Sequence, residues 1–283
     1  MTNTMTVRPV RGTVARLVEL YGDKLPVLDL FGTEGAALYD NMSRNDRGEV
    51  AEFLRVGGAA PKQVLELACG NGRTTLPLLE AGYEVVGLDS SPHMLGRLAD
   101  RLTEPEWRQY AGKLRTVEGD MTSFSLGRQF DLVVLGTSTV WMLDAEGRAS
   151  LFKSVSEHLR PGGKFLLTLL HFTSIDAEGT AFERSTNFIG QGTTAPALCT
   201  LYDYVDPTEK LRTMSILAHQ VEDGQVTGSA VHTTRTNLIT PTELAAEIER
   251  SGLTFVAEHE VRREQLAKQD PGGRHWVLME ATR

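Results

Sequence analysis

The segment Val64-Leu65-Glu66-Leu67-Ala68-Cys69-Gly70-Asn71-Gly72-Arg73 constrains the fold more than any other part of the chain. An apolar run enters a turn with two glycines, and a helical pattern follows, Thr74-Thr75-Leu76-Pro77-Leu78-Leu79-Glu80-Ala81-Gly82. This order reads as a buried parallel strand, a tight loop and the start of a helix. Gly70 and Gly72 can take positive φ and let a ligand come against bare backbone. The helix N-terminus beyond them favours electronegative ligand groups.

The spacing is Glu-x-x-x-Gly-x-Gly, and Thr75 stands where a dinucleotide fingerprint has its third glycine. That departure disfavours a NAD-dependent reductase. A second apolar run, Glu84-Val85-Val86-Gly87-Leu88-Asp89, ends in a carboxylate 23 positions after Glu66. A carboxylate there is placed to grip a ribose diol. Strand, loop, helix and Asp89 together indicate a nucleoside-type cofactor site.

With these pieces the chain resembles the class I S-adenosylmethionine (SAM) methyltransferases. The other matching segments are Gly87-Leu88-Asp89-Ser90-Ser91-Pro92-His93-Met94-Leu95, Gly119-Asp120-Met121 and Leu159-Arg160-Pro161-Gly162-Gly163, in the family's order within residues 50–172. The resemblance implies a doubly wound α/β fold. Its sheet is Rossmann-like, seven-stranded and mostly parallel.

Composition excludes several classes. The net charge of −8 opposes a broad nucleic-acid-binding face. No run approaches the roughly 18 apolar residues of a membrane span, and Met1 to Val10 lack an apolar signal core. Two cysteines, Cys69 and Cys199, do not make a disulfide framework, so a cytoplasmic protein is expected. No Cys/His pair has ligand spacing, and no metal site is expected.

Periodicity predicts helices at 12–22 and 33–43, and a third carrying Val50, Phe53 and Leu54 that Asn45-Asp46 can cap. No strand signal precedes residue 63, so residues 1–60 read as a helical extension, with residues 1–10 disordered. Residues 61–172 read as the cofactor-binding core. Its expected strands are 63–68, 84–89, 113–118, 130–136 and 164–171, and its helices 73–81, 91–102 and 144–160, the last stopped by Pro161-Gly162-Gly163. Ligands of such sheets bind outside the carboxyl ends of the strands. Residues 173–196 read as a mobile loop. Runs at 197–206, 211–221 and 226–238 read as an antiparallel meander, so that 173–239 is an inserted β cap. Residues 240–283 supply a helix at 241–251, with Thr240 as N-cap and Glu243 at N3, and closing strands at 253–262 and 274–282. The family ends with such a strand pair, one strand antiparallel.

The resemblance implies roles for individual residues. Glu66 would act on the cofactor's ammonium group, or be a capped strand-end carboxylate. Asp89 would accept from both ribose hydroxyls, which needs a short acceptor-only side chain. Ser90 belongs to the same segment, and Met94 would pack on the adenine or in the core. Asp120 would accept from the adenine amino group with Met121 alongside. Gly136 and Thr137 would face the cofactor's methionine part, whose carboxylate Arg73 can meet. Tyr39, in Leu-Tyr-Asp, resembles a tyrosine that folds over SAM in small-molecule N-methyltransferases.

The implied reaction is in-line transfer of a methyl group from a sulfonium to a nucleophile. A phenol, with a pKa of about 10, needs a base. An amine with a pKa of about 8 is neutral in roughly a tenth of molecules at neutral pH and needs none. Candidate bases are His171 at the end of the fifth strand, His219, and His232 in the insertion. Trp141, Tyr202 and Tyr204 can form an aromatic wall or belong to the core. Leu135-Gly136-Thr137-Ser138-Thr139 lacks the Asn/Asp-Pro-Pro-aromatic motif of nucleobase-amine methyltransferases. The cap is similar to those of glycine and amino-sugar N-methyltransferases. Leu28-Asp29-Leu30-Phe31-Gly32 to Tyr39-Asp40 resembles methyltransferases of daptide-type ribosomal-peptide clusters. The expected substrate is therefore an amine on a small molecule or modified peptide, in specialised metabolism. An O-methyltransferase with a histidine base and a non-catalytic SAM-binding subunit are the alternatives.

Overall fold

The structure, a computed structural model, describes residues 10–43, 46–59, 62–172, 180–191, 195–261 and 274–283. The chain forms two compact units, Met1–Arg44 with Glu178–Leu238, and Asn45–Ala177 with Ile239–Arg283. The stretch 1–60 is thus divided between them. The predicted disorder of residues 1–10 falls almost wholly outside the described residues.

The larger unit is built on a seven-stranded sheet. Its strands are β2 (Gln63–Leu67), β3 (Glu84–Asp89), β4 (Leu114–Glu118), β5 (Phe130–Leu135), β6 (Leu159–Phe172), β11 (Thr254–Val261) and β12 (Arg274–Thr282). They lie in the order β11-β12-β6-β5-β2-β3-β4. Neighbours from β6 to β4 are parallel, and β12 runs antiparallel to both β6 and β11. This is the mostly parallel, seven-stranded arrangement expected from the motifs. The chain winds outward from β2 to β3 and β4, then returns to place β5 on the other side of β2. The loop after β2 therefore lies at the topological switch point, where doubly wound sheets bind ligands.

The described helices of this unit are α3 (Val50–Gly57), α4 (Thr75–Glu80), α5 (Pro92–Thr103), α6 (Ala145–His158) and α7 (Pro241–Arg250). Side chains cap α5, α6 and α7 at their N-termini. Ser91 accepts from the Met94 amide at 3.3 Å, and Asp144 from the Gly147 amide at 2.8 Å. Thr240 and Glu243 form a reciprocal capping box. Strands β2, β3 and β5 are apolar and buried on both faces, as parallel strands between helices must be. The Pro161-Gly162-Gly163 segment departs from expectation. Helix α6 ends at His158, before it, and the register jumps from Phe130↔Leu159 to Leu132↔Lys164, so residues 160–163 bulge from β6.

The smaller unit holds a five-stranded sheet in the order β1-β10-β9-β8-β7. Strands β8 (Pro196–Asp206), β9 (Leu211–Glu222) and β10 (Gln225–Asn237) are the expected meander. Two strands correct the sequence reading. β1 (Val27–Asp29) pairs parallel with β10, although no strand signal precedes residue 63. β7 (Phe182–Gln191) pairs antiparallel with β8 inside the stretch read as a loop. Residues 173–179 and 192–194 of that stretch lie outside the described residues.

Both faces of this sheet are covered from the N-terminal segment. Val14 of α1 (Gly12–Tyr21) packs with Leu25, Leu217 and Val231. Leu38 of α2 (Thr33–Ser43) packs on the other face with Leu30, Ala197, Cys199, Ile216 and Ala218. Odd-numbered residues of β9 and β10 face α1 and even-numbered ones face α2, the alternation that a period of two dictates.

Candidate functional site

The loop leaving β2 alternates backbone handedness. Ala68, Gly70 and Gly72 have φ of 51°, 56° and 83°. Left-handed residues in this rhythm fold the chain back so that α4 starts at the end of β2, and glycine removes the steric cost at two of the three. The turn is closed by the Gly72 amide donating to the Cys69 carbonyl at 3.0 Å. A Cβ at Gly70 would meet nothing closer than the Ala68 carbonyl oxygen at 3.9 Å, so the surface there is open backbone. At Gly72 it would lie 2.3 Å from Leu98 Cδ1, so this glycine serves packing.

Asp89 ends β3 beside this loop. Its Oδ2 accepts from the Gly70 amide at 2.8 Å and its Oδ1 from the Ser91 amide at 2.8 Å. Burial raises the carboxyl above its ordinary pKa, and the two amides pull it down in part. Each oxygen retains capacity for a second donor. Glu66 is 4% exposed. Its Oε2 accepts from the Thr75 hydroxyl at 2.5 Å. Burial, outweighing the Thr75 hydrogen bond and the Arg73 charge, raises it to about 8. Two buried carboxyl groups thus flank one glycine loop at the switch point.

Arg73 is engaged by a residue that the sequence reading missed. Its guanidinium forms a buried ion pair with Glu49, donates to the Asp46 carbonyl at 2.9 Å, and donates to Thr137 Oγ1 at 2.5 Å. Glu49 is fully buried just before α3. It also accepts from the Thr168 hydroxyl and, at 3.1 Å, from the Thr137 amide. Burial pushes its pKa up, but the Arg73 charge and these donors more than offset that, so the net shift is downward. Gly136 lies against this cluster, and a Cβ on it would meet Glu49 Oε1 at 2.8 Å. Thr137 and Ser138 follow with φ of 61° and 56°.

Ser90 is exposed after β3, and Met94 is buried in α5 at 3% exposure. Asp120 is exposed past β4, where its Oδ1 accepts from the Thr122 amide at 2.8 Å and the Thr122 hydroxyl at 2.7 Å, with the partly buried Met121 between. His171 is near the end of β6, its ring centroid 4.7 Å from that of His275 on β12. Trp141 is fully buried and stacks on Phe172. Tyr39 on α2 and His232 on β10 belong to the smaller unit. His232 is 2% exposed, and its Nδ1 is buried without a hydrogen-bond partner among the described residues. Among the described residues no group of three His, Cys, Asp or Glu can hold a metal ion. No helix among them is long and apolar enough to cross a membrane.

Residues 64–163 match the family model described as a methyltransferase domain. Among curated relatives, the cypemycin N-terminal methyltransferase of Streptomyces sp is 30% identical over 107 residues, covering 38% of this chain and 41% of that protein. The dTDP-3-amino-3,4,6-trideoxy-alpha-D-glucopyranose N,N-dimethyltransferase of Streptomyces venezuelae is 25% identical over 190 residues, covering 67% and 68%. The chain spans less than half the length of several of the curated relatives it matches, the cypemycin enzyme among them. Among solved structures, the glycopeptide N-methyltransferase MtfA complexed with SAM is 30% identical, with a TM-score of 0.57 over 90% of this chain and 96% of that one. An identity of that order sustained over nearly the whole of both chains, on a shared fold, means that this chain belongs to the SAM-dependent methyltransferases.

Proposed function

We propose that the protein methylates an amine of a small molecule or modified peptide, with SAM as donor. The observation that carries the reading is the glycine loop at the switch point with a buried carboxyl on either side, Glu66 and Asp89. The names of three relatives support the acceptor class, since each describes an N-methyltransferase.

The residues fit the donor's chemistry. Asp89 is held by two backbone amides and retains an acceptor position on each oxygen for a ribose hydroxyl. The open face at Gly70 admits a ligand against the backbone. Glu66 is a carboxyl that a neighbouring ammonium would pull back into its ionised form. Asp120, Met121, Met94, Ser90 and Gly136 complete the cofactor side of this reading. Arg73 acts through Glu49 and Thr137, tying the loop after β2 to the end of β5.

SAM supplies an electrophilic methyl group on a sulfonium when bound. The chain's part is to hold the acceptor nitrogen in line and to keep water out. A neutral amine carries its own lone pair, so this reading asks no base of His171 or His232. It is tested by mass spectrometry of the protein with SAM and primary amines, amino-sugars, amine-ended peptides and phenols. One or two methyl groups gained on an amine is the expected result. Turnover on hydroxyls alone would overturn it.

A further inference from the structure

The turn that leaves β5 is strained. Thr137 and Ser138 both lie in the left-handed region, where a β-branched residue such as threonine is an outlier. Such a conformation persists only where its surroundings over-determine it, and it clusters at ligand clamps and switch regions. Here the surroundings are explicit. The Thr137 amide donates to Glu49 Oε2 at 3.1 Å and to Thr168 Oγ1 at 2.9 Å. The Ser138 amide donates to the Thr168 carbonyl at 3.2 Å, and Ser138 Oγ accepts from the Leu170 amide at 2.6 Å.

One buried carboxylate joins these contacts to the glycine loop. Glu49 pairs with Arg73, whose guanidinium also donates to Thr137 Oγ1, and it accepts from the Thr168 hydroxyl. It is therefore bound at once to the loop after β2, to the exit of β5 and to β6. Gly136 is the residue that lets it come so close, since a Cβ there would lie 2.8 Å from Glu49 Oε1. All of these residues belong to the larger unit.

We propose that Glu49 is a positioning residue of the cofactor site: through Arg73 and Thr168 it fixes the turn after β5 as the wall against which the amino-acid part of SAM lies. A ligand with its ribose at Asp89, at the end of β3, that crosses the switch point passes the end of β2 and reaches the end of β5, about 10 Å away. The adenosine part stays on the β3 side and does not meet this turn. Glu49 thus sets affinity for one part of the cofactor and not for the other. Arg73, which the sequence reading puts on the cofactor's carboxylate, acts here through Glu49 and Thr137. The inference rests on SAM as the donor and is independent of whether the acceptor is an amine.

The test is titration calorimetry of the full chain with two thioethers of adenosine. S-adenosylhomocysteine carries the amino-acid part, and methylthioadenosine lacks it. Neither has a net charge at neutral pH, so the loss of one charge from the site attracts or repels neither as a whole. Glu49→Gln should raise the Kd of S-adenosylhomocysteine at least about tenfold and that of methylthioadenosine less than about twofold. Thr168→Val, which removes a hydroxyl and no charge, should shift the two affinities unequally in the same sense, and Thr168→Ser should restore their wild-type ratio. A merely structural loss lowers the competent fraction and weakens both ligands by one factor. Equal factors would therefore overturn the proposal, as would an unchanged affinity for S-adenosylhomocysteine. Tighter binding of S-adenosylhomocysteine would overturn it too, since Arg73 released from Glu49 would then be meeting the carboxylate itself. Asp89→Ala should weaken both ligands alike, and no effect on either would place the cofactor elsewhere and remove the proposal with it. If Glu49→Gln does not fold, the two Thr168 variants decide the question.

Discussion

The hydroxyl of Thr75 donates to Glu66 Oε2 at 2.5 Å. The residue standing where a dinucleotide-binding loop has its third glycine thus holds the carboxyl of the strand that enters the loop. Both residues are buried, Thr75 at 0% and Glu66 at 4% exposure. Thr75→Val keeps the shape and removes the donor. Leaving a buried acceptor without its donor costs about 1–3 kcal/mol. Urea titration should show that loss as a lower midpoint with an unchanged slope. An unchanged midpoint would mean that water replaces the hydroxyl.

The same carboxyl predicts a pH dependence with a definite sign. Burial raises Glu66 from 4.5 to about 8, so the SAM-free native state keeps a proton that the unfolded chain has lost. The stability it confers is fully present below 4.5 and is lost as pH rises through about 8. Glu66→Gln should flatten that decline, seen as a wild-type-minus-mutant stability difference that shrinks across this window. Cation binding at Glu66 would favour the ionised form. SAM should therefore release protons on binding at neutral pH, measurable by calorimetry in buffers of different ionisation enthalpy, and Glu66→Gln should abolish that release.

Strands β2 and β3, the glycine loop and the Thr240 cap are local signals, and the structure places them where they were read. Strand β1 is three residues long and gains its partner only from β10, far along the chain. In β7, none of Phe182-Glu183-Arg184-Ser185-Thr186-Asn187 is buried, so no apolar alternation marks the strand and pairing with β8 defines it. Glu49 was missed because its partners, Arg73, Thr137 and Thr168, are 24, 88 and 119 residues away. Such separations leave no trace in a local pattern.

The Glu49–Arg73 pair should be worth more than its surface counterparts. Arg73 is 7% exposed and Glu49 0%. Removing one partner of a buried pair strands the other charge, at a cost of about 3–5 kcal/mol. Arg73→Met should therefore destabilise strongly in the wild type and much less in a Glu49→Gln background. A double-mutant cycle reads the difference. Additive effects would mean that the pair is solvated.

Asp89→Ala should weaken SAM binding more than it weakens the fold. The carboxylate holds the Gly70 and Ser91 amides, which solvent can satisfy in its place. Loss of one or two ribose hydrogen bonds corresponds to about 1–3 kcal/mol, or roughly tenfold to a hundredfold in Kd. Titration calorimetry with SAM measures it, and an unchanged Kd would remove Asp89 from the site.

The two loop glycines should separate binding from stability. Gly70 has φ of 56° with open space around a Cβ, whereas Gly72 has φ of 83° with Leu98 in the way. A left-handed alanine costs about 1–2 kcal/mol at either position. At Gly72 the clash with a fully buried leucine adds to this, since a filled core resists an extra methyl group. At Gly70 the new methyl group occupies the surface that a ligand would approach. Gly72→Ala should therefore lower the melting temperature more than Gly70→Ala does. Gly70→Ala should raise the Kd for SAM more than its modest loss of stability explains. Thermal melts with and without SAM separate the two effects. Equal stabilisation of wild type and Gly70→Ala by SAM would place the ligand away from this backbone.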